Sequence, residues 1–152
     1  MTVRRILLVD DHALVRAGIR ALLESLPGLE VVGETGDGLE ALRLARELAP
    51  DAMLLDITLP GLNGLEVAAR IARSGAGTRV LVLSMHASPE YAARAFAAGA
   101  AGYLNKDSAF EELAAALAEI GAGRRYLSRA IDAAQVAEFE RRAASGVAGL
   151  DV

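Results

Sequence analysis

No cysteine occurs among the 152 residues. That excludes disulfides, thiolate chemistry and cysteine-ligated metals, and with 2 histidines the chain has little to build a zinc site from. Any metal is therefore expected on oxygen ligands. No apolar stretch approaches the roughly 18 residues that would span a bilayer. The opening MTVRRILLVDD runs straight into a strand pattern rather than a signal peptide, so a cytoplasmic protein with no membrane partner is expected. Positive charge is not in excess either. With 16 Lys and Arg against 20 Asp and Glu the net charge is −4, without the clustered cations that phosphate neutralisation needs. If DNA is a partner, another segment must bind it. Fixed-period repeats are missing beyond a β/α alternation, which excludes solenoids.

What is present suffices for one substantial core: 53% of residues are hydrophobic and 24% charged, within the single-domain range. Short apolar runs at residues 4–9, 29–34, 51–55, 79–84 and 100–104 read as strands, and helical patterns separate them. The alternation predicts an α/β doubly wound, five-stranded parallel sheet with helices on both faces. In the first helix Val15, Ile19, Leu22 and Leu26 form the inward row. The second spans about 37–48 with Leu39, Leu42 and Ala45 inward. A third starts near Gly64 with Leu65, Ala68 and Ala72 inward, and a fourth opens on Ser88 as N-cap with Pro89 at its first position. The fifth begins at Ser108 and buries Phe110, Leu113, Leu117 and Ile120, ending near Gly121. Beyond residue 122 the composition shifts to a weaker helix over about 128–144 and a Ser/Gly/Ala stretch. The division read from this is one domain over 1–122 and a linker over 123–152.

Each apolar run is followed by a polar group: Asp10 and Asp11 after ILLV, Asp56 after AMLL, Ser84 after VLVL, Lys106 after GYLN. A parallel sheet gathers the groups just past its carboxyl ends into one crevice, and in strand order 2-1-3-4-5 that crevice opens between strands 1 and 3. Three carboxylates placed there repel unless a cation offsets them, and a hard divalent ion with water and phosphate oxygens is the natural offset. Asp56, alone on the middle strand, reads as the nucleophile of a Mg²⁺-assisted phosphoryl site. Ser84 and Lys106 supply the donor and the cation that phosphoryl oxygens need. Singly, a serine at a strand end is a turn residue and a lysine there a solvated charge; it is their succession that argues for a site. Asp10 or Asp11 also suits N-capping of the first helix, which is compatible with a metal role. His12 reads as an exposed first-turn residue, and Arg124-Arg125 and Arg141-Arg142 as solvated faces.

With ILLVDDH, DAMLLDITLPGLNGLE, VLVLSMH and GYLNKDS in order and spacing, the chain resembles the receiver domain of bacterial two-component response regulators over about residues 3–122. The resemblance implies a flavodoxin-like fold and Asp56 as phospho-acceptor, fed by the phosphohistidine of a sensor histidine kinase. It implies Mg²⁺ held by Asp11 directly, by Asp10 through water, and by Asp56 and the backbone carbonyl of Thr58. Ser84 and Lys106 would bind the phosphoryl oxygens, and Tyr103 would be the switch aromatic. Thr58, Met85 and His86 would tune phosphoryl lifetime, Met85 by narrowing access. Pro60-Gly61 and Gly64 would form the turn that carries the chain away from the acceptor. SMHASPEYAARAFAAGAAGYLNKDS and YLS resemble the NarL/FixJ subgroup, whose output is a LuxR-type helix-turn-helix domain. This implies homodimerisation on phosphorylation and DNA contact only through an output domain beginning about where GLDV ends the chain, so a longer protein is expected, with a stand-alone receiver as the alternative. Lys106 is followed by Asp107 where many receivers carry proline, which leaves the isomer of that bond open, since a cis bond there would cost about 2.5–4 kcal/mol.

Two other classes compete. A haloacid-dehalogenase-type Mg²⁺-dependent phosphatase also combines Asp, Ser or Thr, and Lys on a parallel sheet, but it places an Asp-x-Asp nucleophile on the first strand and needs a cap insertion. This chain has Asp10-Asp11-His12 and no such insertion. A phosphorylation-independent interaction module would have no need of the complete acid pocket.

Overall fold

The computed structural model describes residues 2–59 and 62–150, the side chains of 146–150 excepted. The turn expected at Pro60-Gly61 lies outside the described residues. In chain order the elements are β1 (Arg5–Val9), α1 (Ala13–Ser25), β2 (Glu30–Thr35), α2 (Gly38–Leu48), β3 (Ala52–Asp56), α3 (Gly64–Ser74), β4 (Arg79–Ser84), α4 (Pro89–Ala97), β5 (Gly102–Asn105), a 3₁₀ turn (Lys106–Ser108), α5 (Ala109–Gly121), β6 (Tyr126–Leu127) and α6 (Ala133–Leu150). The strands pair in parallel in the order β2-β1-β3-β4-β5-β6.

The strands are continuous apolar runs because both faces of the sheet are covered, and successive side chains point to opposite faces. In β1, Leu7 and Val9 join Met53, Leu55, Val80 and Val82 in the cluster under α2, α3 and α4. Ile6 and Leu8 join Leu54, Leu81, Leu83 and Leu104 on the other face, under α1 and α5. The sheet has six strands where the apolar runs predicted five. Tyr126 donates its amide to the Ala101 carbonyl at 3.1 Å and Ser128 to the Tyr103 carbonyl at 2.9 Å, so a two-residue strand covers the edge of β5. The segment read as a linker thus carries a strand and a helix: Ile131 and Val136 are buried in the same cluster as Tyr103, Phe139 packs against it, and the α6 backbone runs on to Leu150.

Several inward rows sit one residue off those read from the sequence. α1 buries Ile19 and Leu23 and exposes Val15; α2 buries Ala41 and Ala45 and exposes Leu39; α3 buries Val67, Ala68 and Ile71; α5 exposes Phe110. A face between i+3 and i+4 rows is set by how the helix docks on the twisted sheet, which its own pattern leaves open. Among the described residues no peptide bond is cis, so Lys106–Asp107 is trans.

Candidate functional site: an acid pocket at the switch point

Register brings the polar strand ends to one height. Val9 lies opposite Leu55, so Asp10 and Asp56, each one residue further, come side by side; Asp56 faces Leu83 and Ser84 faces Asn105, leaving Lys106 next in line. Tight local turns hold the two buried carboxylates. Asp10 Oδ1 accepts the His12 amide at 2.8 Å, and Asp56 Oδ1 accepts both the Thr58 amide at 2.9 Å and the Thr58 hydroxyl at 3.0 Å. α3 starts close behind: a Cβ on Gly64 would lie 2.6 Å from the Asp56 carbonyl oxygen and 2.6 Å from Ile57 Cα, so only glycine lets that helix approach the strand end.

Lys106, the chain's one lysine, is buried among these acids. Its Nζ donates to Asp56 Oδ2 at 3.1 Å and lies 2.7 Å from Asp10 Oδ2. The second contact is an ion pair by distance without hydrogen-bond angles, which leaves Asp10 Oδ2 the one buried side-chain polar atom among the described residues that has no hydrogen-bond partner. Asp11 reaches the same point from the surface, with 34% of its side chain exposed. One ligand atom from each of Asp10, Asp11, His12 and Asp56 falls within 4.8 Å of the others. Oxygen donors from three residues, one of them a buried carboxylate oxygen without a hydrogen-bond partner, fit a hard divalent cation such as Mg²⁺.

Ser84 is fully buried, and its Oγ accepts the His86 amide at 3.0 Å. The Tyr103 ring is also fully buried, with β6 paired alongside its strand. Its hydroxyl donates to the His86 carbonyl at 2.8 Å, and burial pushes the phenol pKa up while a hydrogen bond with Ser84 pulls it back. Met85 stands 60% exposed at the rim, and the His86 ring stacks on Tyr91 with centroids 5.0 Å apart. Ser84, Tyr103 and the backbone of His86 thus form one bonded unit beside the acid pocket.

Two contributors were not legible as such. His12, read as an exposed helix residue, turns Nδ1 toward the acids, 3.2 Å from Asp10, 3.3 Å from Asp11 and 3.6 Å from Asp56. Arg16, on α1, donates to the Asp10 carbonyl and to Glu34. Histidine directly after the acidic pair was the available signal for the first; nothing in the local pattern pointed to the second.

The profile of the response regulator receiver domain family matches residues 6–118. The response regulator UvrY of Escherichia coli strain K12 is 45% identical over 123 residues, covering 81% of this chain and 56% of UvrY. A crystal structure of a LuxR-family two-component response regulator from Aurantimonas sp. SI85-9A1 superposes with TM-score 0.83 at 46% identity, covering 91% of this chain and 97% of that one. The signal receiver domain of the response regulator NarL from Mycobacterium tuberculosis superposes with TM-score 0.76 at 39% identity, covering 82% of this chain and all of that one. The chain spans little more than half the length of the curated relatives it matches.

Proposed function

The chain belongs to the response regulator receiver domain family, in its NarL/FixJ subgroup, and from that premise we propose that it accepts a phosphoryl group on Asp56 from the phosphohistidine of a sensor histidine kinase. The observation that carries this reading is Asp56 itself: a buried carboxylate with one oxygen held by two donors of Thr58 and the other beside Lys106, at the switch point of the sheet. Oδ2 is the oxygen offered to phosphorus. It forms the new P–O bond as the P–N bond of the donor breaks, and the electron pair of that bond leaves with the kinase imidazole. A bound Mg²⁺ would offset the gathered carboxylate charge and orient the phosphoryl oxygens. Asp10, Asp11, Asp56 and the Thr58 carbonyl are its proposed ligands, and the Lys106 ammonium and Ser84 hydroxyl take the remaining phosphoryl charge. Since the group stays on Asp56 until it is hydrolysed, the chain acts as a signalling acceptor rather than a turnover enzyme.

Readout follows from the bonded unit. A phosphoryl group drawing Ser84 inward competes with the His86 amide and with Tyr103 for the same hydroxyl, and it shifts the population of the β4–α4 region only by its preference for one arrangement. Thr58, Met85 and His86 border the approach and set phosphoryl lifetime. Residues 1–122 form the receiver unit in this reading, and 123–152 join it to a DNA-binding helix-turn-helix output domain that regulates transcription in the cytoplasm. Partners are the kinase, a second copy of the chain upon phosphorylation, and DNA through the output domain.

The test is intact-protein and peptide mass spectrometry after incubation with acetyl phosphate and Mg²⁺. One acid-labile phosphoryl adduct on Asp56 is expected, lost in Asp56→Asn and retained in Tyr103→Ala with a weakened change in self-association. An adduct persisting at full yield in Asp56→Asn would falsify the assignment, and turnover of phosphate esters without an adduct would point to a phosphatase.

A further inference from the structure

The acid pocket holds a nitrogen that the phosphoryl chemistry above does not use. We infer that His12 is a further protein ligand of this pocket, a nitrogen beside its oxygens, and that the site therefore binds divalent ions of the manganese-to-nickel series more tightly than Mg²⁺. The inference rests on the acid pocket being a cation site.

Geometry argues first. In an octahedral shell with donor distances of about 2.1 Å, neighbouring donor atoms stand about 3.0 Å apart. His12 Nδ1 lies 3.2, 3.3 and 3.6 Å from one oxygen each of Asp10, Asp11 and Asp56, close to that spacing from all three, so the nitrogen stands where a neighbouring donor of the same shell would stand. Local structure argues next. His12 is the N-cap of α1, where a side-chain acceptor normally bonds a first-turn amide, yet its imidazole makes no such bond. The ring is held over the acids instead, its own amide fixed on Asp10 Oδ1 at 2.8 Å. Its side chain is 56% exposed, which leaves an entry path from solvent, while Asp10 Oδ2 beneath is buried, paired with the Lys106 ammonium by distance alone and without a hydrogen bond. Donor chemistry argues last: carboxylate and water suit Mg²⁺, whereas an added imidazole nitrogen favours the later ions.

Calorimetric titration of the whole chain with MgCl₂, MnCl₂ and NiCl₂ tests this, alongside electron spin echo spectroscopy of bound Mn²⁺. His12→Ala is expected to weaken Ni²⁺ binding by about 10-fold or more while leaving Mg²⁺ binding nearly unchanged. It is also expected to remove a directly coupled nitrogen from the Mn²⁺ spectrum. Because the imidazole makes no cap bond, the variant should keep its fold, which circular dichroism verifies. Equal losses for all three ions, no loss for any, or no nitrogen coupling in the unsubstituted protein would overturn the inference. Asp11→Ala separates it from the reading on which it rests. If Mg²⁺ binds and depends on Asp11 while His12→Ala is silent, the phosphoryl site stands and the histidine ligand falls. If Ni²⁺ binds through His12 while Mg²⁺ does not bind, the magnesium assignment falls and the ligand stands.

Discussion

Glu112 has 3% of its surface exposed on α5, where a carboxylate is costly unless donors surround it. Here the Tyr126 hydroxyl donates at 2.6 Å, the Ser128 hydroxyl at 2.7 Å and the Arg129 amide at 2.9 Å. Burial pushes its pKa up, but hydrogen bonds from Ser108, Tyr126, Ser128 and Arg129 outweigh that and hold it at about 2 against an ordinary 4.5. At 1.36 kcal/mol per pKa unit this is worth about 3 kcal/mol. Because the folded value is the lower one, that stability is fully present above about pH 4.5 and is lost as pH falls toward 2. Urea titrations between about pH 5 and 2 should show a steep decline in the parent protein and a flatter one in Glu112→Gln, which keeps the shape and drops the charge. Parallel slopes would remove Glu112 from the account of acid stability. Nothing in the sequence marked this residue: EEL opening a helix reads as a solvated first turn, and the Tyr126, Ser128 and Arg129 donors arrive from 14 to 17 residues downstream.

Among the elements, the five long strands were legible because burial on both faces writes them as unbroken apolar runs, and their polar endings drew attention to Asp10, Asp56, Ser84 and Lys106. β6 was not, since two residues carry no periodicity and its pairing depends on where α5 returns the chain. α6 was read as weak because its apolar positions are few; Val136, 1% exposed, nevertheless packs in the core together with Ile131 and Phe139. Arg125, read as solvated, also joins this contact. Its guanidinium lies 3.5 Å from the Phe96 ring centroid on α4 and pairs with Glu140 on α6 at 2.9 Å. The two kinds of contact should differ in weight. Val136→Ala is expected to cost about 2 kcal/mol in a urea titration, whereas Arg125→Ala, removing a solvent-screened pair, should cost about 1 kcal/mol or less. The reverse order would mean that charge rather than apolar burial seats α6 on α4.

For the whole molecule, the question is whether residues 123–150 belong to the cooperative unit or merely follow it. Composition drew the boundary at 122, and most of the two-faced core lies within it. Yet β6 supplies the amides that Ala101 and Tyr103 carbonyls accept, and Ile131 and Val136 lie in the cluster that encloses the Tyr103 ring. The β6 and α6 segment is therefore packed on the same strand that leads into Lys106. Ending the chain after Ala122 should leave a folded α/β body, because α1 to α5 still cover both faces, but one less stable by about 2–4 kcal/mol, the burial of two side chains less the entropy of ordering their segment. The loss should be local. Native-state hydrogen exchange should show faster exchange at β5 amides and near-parent protection at β1 and β3, which lie two strands or more from the exposed edge. Tyr103 should then sample solvent, raising its accessibility to tyrosine-modifying reagents. Unchanged stability and unchanged β5 protection would make the segment a passive connector, and a state of Asp56 sensed by Tyr103 would have no packed route into α6.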